Sequence, residues 1–148
     1  DDYVRRNPFD FPLSEVLTDD SRPKVALSEA QEARLLDFMA QDKTYRKYQD
    51  DVFILLRTGL RVSELCGLTR SDIDFRNHTI RINHQLLKDK DGFYITGPKT
   101  RSGVRNVPMS RETEKAFQRV LKRKQKPTFK EIDGYRNFVF LSPNGCPM

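Results

Sequence analysis

The chain has 148 residues, 36% of them hydrophobic and 32% charged, with a formal net charge of +6. That length suffices for one ordinary domain burying about two thirds of its unfolded surface, which excludes a mini-protein that needs disulfide or metal staples. Cys66 and Cys146 stand far apart in no metal-ligand spacing and read as structural, reduced thiols. No apolar run approaches the ~18 residues of a membrane span and the amino end lacks a signal-peptide plan, so a soluble cytosolic protein with no membrane partner is expected.

Residues 1–25 carry three prolines, mixed charge and no helical period, and read as a linker or lead-in to an ordered domain over 26–148. "LSEAQEARLLDFMAQ" places Gln31 three residues after Ser28, a capping-box pattern, with Leu35, Leu36 and Met39 on one face, and predicts a helix. Tyr45, Tyr48, Val52, Leu55 and Leu56 then recur at three- and four-residue steps, and "VFILL" is apolar on nearly every side. This predicts a central, buried helix ending before Gly59. "RVSELCGL" reads as a shorter helix behind it.

From "HTIRINHQLL" the period changes from helical to alternating. "TIRIN", "GFYIT" and "VRNVPM", separated by "KDKDG" and "GPKTRSG", predict a small three-stranded antiparallel sheet with two hairpin turns. Ser110 caps a further helix with Phe117, Val120 and Leu121 as its buried stripe, and "NFVFL" reads as a last strand. The fold class is α+β, a mostly helical domain with a small sheet. The chain opens on Asp1 and stops within the turn-like "LSPNGCPM", so it is expected to be a piece of something longer.

Positive charge is unevenly spread. Residues 96–130 hold eleven Lys or Arg against two Asp or Glu, leaving the rest of the chain slightly acidic. A localised basic region is the footprint of a protein that neutralises phosphates. Arg111, Lys115, Arg119, Lys122 and Lys126 form one helical stripe, which either tracks a phosphate backbone or, the more common meaning of such a row, is a solvated face.

Two stretches carry candidate chemistry. In "TGLRVSELCGL", Gly59 ends a helix, Arg61 follows, and Glu64 comes three residues later. A planar, permanently charged guanidinium can donate to two phosphate oxygens at once, and Glu64 is placed to hold it; the plain alternative is a surface arginine interacting with a helix dipole, beside a solvated glutamate. In "GPKTRSGVRNVPM", Lys99 sits in a turn between glycines, followed by Arg101, Ser102 and Arg105. These last three read either as contacts to backbone phosphate or as sheet-edge charges that discourage aggregation.

Together, about 40 residues apart, these stretches resemble the catalytic domain of the tyrosine recombinases, the phage and conjugative-transposon integrases, from about Ala26 to the end. The resemblance implies site-specific DNA recombination and integration through a 3′-phosphotyrosyl intermediate. It implies that Arg61 grips the scissile phosphate, that Glu64 holds Arg61, and that Lys99 enters the minor groove and protonates the departing 5′ oxygen. The implied partners are double-stranded DNA at attachment sites and further copies of the protein in a tetramer on DNA. No metal or nucleotide cofactor is implied, because arginines and lysine supply positive charge and the covalent bond conserves the phosphodiester energy.

The remaining family parts are not found. The one H-x-x-R match, His78 to Arg81, lies on a strand only 17 residues after Arg61 with its two ends on opposite faces, unlike the family's helical block. His78 and His84 read as turn and strand residues. Tyr45 and Tyr48 are assigned to a buried face, Tyr94 to a strand, and Tyr3 and Tyr135 to no catalytic context. The chain is therefore expected to be the amino-terminal portion of the catalytic domain, inactive alone. The alternative is a non-catalytic helix-turn-helix module within "LRVSELCGLTRSDIDF", with Thr69 as the second N-cap, although "RNHTIRI" continues as a strand where a recognition helix belongs.

Overall fold

A serine ahead of a run of helix formers starts the first element. In the computed structural model, which describes residues 25–98, 100–123, 131–142 and 144–148, helix α1 spans Glu29–Gln41. The Ser28 hydroxyl accepts from the Gln31 N–H at 3.3 Å and the Gln31 side chain accepts from the Ser28 N–H at 2.9 Å. Two donors that a helix start leaves unpaired are thereby satisfied. Met39 is buried, whereas Leu35 and Phe38 face outward.

The Asp42 carboxylate accepts the N–H groups of Thr44 and Tyr45 at 2.7 and 3.0 Å, bending the chain into a turn. Tyr45 thus lies outside the helix and is half exposed, which corrects its assignment to a buried face. After a 3-10 turn at Arg46–Tyr48, helix α2 runs Gln49–Thr58. Ile54 is fully buried, while Val52, Leu55 and Leu56 are half-buried. The helix stops where expected: Gly59 adopts φ 64°, and its N–H donates to the Leu55 carbonyl. Only glycine takes that left-handed conformation without cost.

Helix α3 is short, Val62–Gly67, and lies against the strand β3, Gln85–Lys88. A Cβ on Gly67 would stand 2.9 Å from the Leu86 backbone nitrogen, so the helix approaches the strand this closely because the side chain is missing. Thr69 does cap a following element, but that element is a three-residue 3-10 turn, Arg70–Asp72. The Asp72 carboxylate accepts from both the N–H and the hydroxyl of Thr69, and the chain passes directly into strand β1, Ile73–Asp74. A recognition helix does not follow, so the helix-turn-helix reading fails here.

A three-stranded antiparallel sheet is present, with membership that differs from expectation. Its order is β1, β2 (Thr79–Ile82) and β5 (Arg105–Pro108), with Ile80 paired to both Ile73 and Val107. The "GFYIT" segment, β4 (Phe93–Thr96), instead forms a separate hairpin with β3. The alternating run is divided at Asn83–His84. The buried imidazole of His84 is within 2.7 Å of the Gly67 carbonyl and stacks on Tyr135 at 4.1 Å, anchoring the backbone between the two sheets.

Helix α4, Arg111–Leu121, is capped by Ser110 as expected and buries Ala116, Phe117 and Val120, with Leu121 half-buried. Phe117 meets Phe140 edge-on at 6.1 Å between centroids, in a core shared with Ile54, Leu65, Leu68, Ile80 and Ile82. Each such large side chain contributes roughly 1.5–3 kcal/mol by leaving water. The "NFVFL" segment is not a strand. Phe138, Val139 and Phe140 are all buried, without alternation, and the backbone bonds the loop at Leu68–Arg70 instead.

The basic stripe on α4 is partly neutralised. Arg119 donates twice to Asp50, and Arg123 donates to the buried Asp51 at 2.7 Å, tying α4 to the start of α2. Burial pushes the Asp51 carboxyl above its ordinary range, against the pull of Arg123. Lys126 lies outside the described residues. Among the described residues, no helix is long and apolar enough to cross a membrane.

Candidate functional site

The site begins where α2 stops. Gly59 reverses the chain, Leu60 is buried as an anchor, and Arg61 takes extended backbone angles as the residue capping α3. The N–H of Arg61 donates to Glu64 Oε2 at 2.9 Å, and its Nη1 donates to Glu64 Oε1 at 2.9 Å. A glutamate at the third position of a helix is well placed for this, since it answers both the free N–H groups and the positive end of the dipole.

Glu64 has a further partner far away in sequence. Arg105, at the start of β5 and 41 residues on, donates Nη1 to Oε1 at 3.0 Å and Nη2 to Oε2 at 2.8 Å. Each carboxylate oxygen thus receives two N–H groups. The three side chains differ sharply in exposure: 4% for Glu64, 31% for Arg105 and 72% for Arg61. Burial alone would raise the Glu64 carboxyl, but the Arg105 fork and the two bonds from Arg61 outweigh it and hold the group at about 2. The same pair raises Arg105 above its ordinary value. Glu64 is a fixed anion, and Arg61 is a fixed cation projecting outward from it.

Arg61, Glu64 and Arg105 line a cleft of about 690 Å³ together with Ser102, which the sequence singled out, and with Gln85 and His84, which it did not. The turn before β5 lines the same cleft. There the Gly103 N–H donates to the Thr100 carbonyl at 3.0 Å, and the Thr100 and Ser102 hydroxyls are 3.0 Å apart. Lys99 lies outside the described residues; its chain neighbours Pro98 and Thr100 both line the cleft. Arg101 opens the 3-10 turn Arg101–Gly103.

Gln85 is held by Ser63, whose hydroxyl is 2.9 Å from Oε1. No sequence signal pointed to it, since the expected strands "TIRIN" and "GFYIT" leave it between them, whereas in the structure it opens β3, which packs on α3. His84 belongs to a buried network with Gly67, Asn83 and, at 3.9 Å, Asp72. His78 and Arg81 do not act together. His78, at φ 55°, pairs with Glu114, while Arg81 reaches Asp72 at 3.3 Å, and neither lines the cleft. No described tyrosine lines it either. Among the described residues there is no group of three or more His, Cys, Asp or Glu placed to hold a metal ion.

An exposed guanidinium braced on a buried carboxylate, and the Arg105 fork on that same carboxylate, bring together the two sequence stretches that carry the resemblance. The chain belongs to the phage integrase family, the tyrosine recombinases, whose sequence pattern matches residues 26–148. Among its relatives, the transposase from transposon Tn916 of Enterococcus faecalis is 53% identical over 148 residues, covering 99% of this chain and 36% of the relative. The transposase from Tn1545 of Streptococcus pneumoniae gives the same figures.

The solved Tn1549 transposon integrase in complex with a circular intermediate DNA superposes with a TM-score of 0.90 at 54% identity, over 97% of this chain and 46% of that one. XerA recombinase superposes at 0.56 with 27% identity, over 88% of this chain and 40% of that one. This chain spans about a third of the length of the curated relatives.

Proposed function

We propose that the protein to which this chain contributes is a site-specific DNA recombinase of the integrase type. It cuts and rejoins double-stranded attachment-site DNA through a 3′-phosphotyrosyl intermediate. In this reading a tyrosine oxygen attacks the scissile phosphorus, a P–O bond forms to tyrosine, and the bond to the 5′ oxygen breaks. Arg61 donates to the non-bridging oxygens as charge gathers on them in the pentavalent transition state. Glu64 keeps Arg61 aimed. Lys99 gives its proton to the departing 5′ oxygen, a task suited to a mobile ammonium. Ser102 and Arg101 contact backbone phosphate beside it.

The observation that carries this reading is the exposed Arg61 fork held at a cleft by a buried carboxylate. A solvated surface arginine would have no such brace. The DNA-bound state of the Tn1549 integrase supports duplex DNA as the partner. Assembly as a tetramer on DNA and a cytosolic, nucleoid-associated location belong to the same proposal. This chain alone is proposed to be inactive, because none of its described tyrosines reaches the cleft.

The test is Arg61→Lys in the full-length protein. Folding should persist and strand cleavage should fall by 10²–10³-fold, about the loss seen when one fixed oxyanion donor is removed. Cleavage near the wild-type rate would return Arg61 to an ordinary surface charge.

A further inference from the structure

The two arginines of the cleft are not equivalent. Arg61 gives Glu64 one backbone and one side-chain N–H, leaving most of its fork exposed. Arg105 turns inward. Its Nη1 and Nη2 grip the two oxygens of Glu64, and Nη1 also donates to the Gly103 carbonyl at 3.2 Å. Both hydrogens on Nη1 are therefore engaged within the protein. A phosphate could take these Nη1 and Nη2 hydrogens only by stripping a buried carboxylate of two of its four donors, which leaves it no more than the Nε edge of the guanidinium.

We infer that Arg105 is a positioning residue that locks the Arg61 end of helix α3 to the 3-10 turn Arg101–Gly103, and that its effect on cleavage runs through this tie instead of through phosphate. This inference rests on the recombinase reading for its effect on cleavage. The geometry beneath it is independent of that reading. Glu64 is the last link that fixes Arg61, and Gly103 closes the 3-10 turn Arg101–Gly103, whose Ser102 and Gly103 line the cleft together with the preceding Pro98 and Thr100. One planar cation joins the helix to the turn, because its fork matches a carboxylate on one edge while a spare N–H reaches a carbonyl. Without it, the two family stretches, far apart in sequence, lose their direct side-chain tie. A lysine could replace the charge and could not make both bonds to Glu64 and the one to Gly103 in the same fixed geometry.

The depressed titration of Glu64 agrees with this arrangement, since the Arg105 fork is the strongest of the influences that lower it.

The experiment uses the full-length protein with Arg105→Ala and Arg105→Lys. Three quantities are read: single-turnover cleavage of attachment-site DNA, the salt dependence of binding to that DNA, and the titration of the Glu64 carboxyl by carbon NMR. Expected for Arg105→Ala are a 10- to 100-fold loss of cleavage, an unchanged slope of log affinity against log salt, and a Glu64 carboxyl that titrates at higher pH. Arg105→Lys should return the carboxyl toward its wild-type titration while restoring cleavage only in part. Should Arg105→Ala not fold, Arg105→Gln, which removes the charge and keeps most of the side chain's bulk, takes its place with the same expected outcomes.

A slope smaller by about 0.9 in the variant that removes the charge, with the Glu64 titration unmoved, would make Arg105 a phosphate contact and overturn the inference. Wild-type cleavage in the lysine variant would overturn it as well. Failure of the recombinase reading has a different signature: the wild-type protein leaves no covalent adduct on attachment-site DNA, while the NMR titration still reports the clamp.

Discussion

Replacing Glu64 by glutamine tests the electrostatic centre of the fold with almost no change in shape. A carboxyl that titrates at about 2 instead of 4.5 contributes about 3 kcal/mol of stability in its ionised form. Glutamine offers one oxygen to four N–H donors and turns its own NH₂ group toward a guanidinium. The expected loss at pH 7 is therefore about 3 kcal/mol, read from urea unfolding of the chain. Because the folded-state value is depressed, the contribution is complete above about pH 4.5 and is lost as pH falls toward 2. The gap between wild type and Glu64→Gln should thus be constant from pH 7 to about 4.5, then shrink by about 1.4 kcal/mol for each further pH step. A gap under about 1 kcal/mol at pH 7, or one indifferent to acid, would show that Arg105 and Arg61 do not hold this anion as described.

Gly67→Ala should destabilise by about 1–3 kcal/mol in thermal melts, since the added Cβ meets backbone of Leu86 and Gln85 at 2.9–3.2 Å and outweighs the gain of about 1 kcal/mol in helix propensity; a rise in melting temperature would mean that α3 and β3 are less closely packed. Burial, helped by nearby Asp51, pushes the Cys66 thiol up to about 11. An aromatic disulfide reagent at pH 8 should accordingly label the half-buried Cys146 first and Cys66 only upon unfolding, and equal rates would contradict the burial. Full-length Lys99→Ala should be slow on ordinary DNA yet cleave a substrate with sulfur at the bridging 5′ position almost as fast as wild type, because a thiolate departs without a proton. Equal defects on both substrates would remove Lys99 as the general acid.

What could be read from the sequence was governed by local chemistry. The Ser28–Gln31 box, the stop at Gly59 and the cap at Ser110 each depend on residues within four positions of one another, and each stands where it was expected. Arg61 and Glu64 are legible for the same reason. Strand partners are not local. Nothing in "GFYIT" says that it pairs with Gln85–Lys88, a choice made by the burial of His84 against Gly67 and Tyr135. Tyr45 carried the right spacing for a buried face, but Asp42 captured the backbone N–H groups beside it and formed a turn first. Arg105 was visible as a cation near a turn; that it serves Glu64, 41 positions earlier, became apparent only once the intervening chain was folded between them.

The clamp also fixes an inventory of charge. With Glu64 ionised down to about pH 2, Arg61, Glu64 and Arg105 together present a net charge of +1 under any physiological condition. Under the proposed chemistry, a phosphodiester arriving in its monoanionic form would bring that local sum to zero. As the pentavalent state develops a second negative charge, the cluster falls one cation short. The balancing charge must then come from elsewhere, from Lys99 or from basic groups supplied by other parts of the full-length protein. A carboxylate so tightly held therefore sets how much positive charge the resting cleft carries, and under that chemistry full neutralisation depends on groups beyond the cluster.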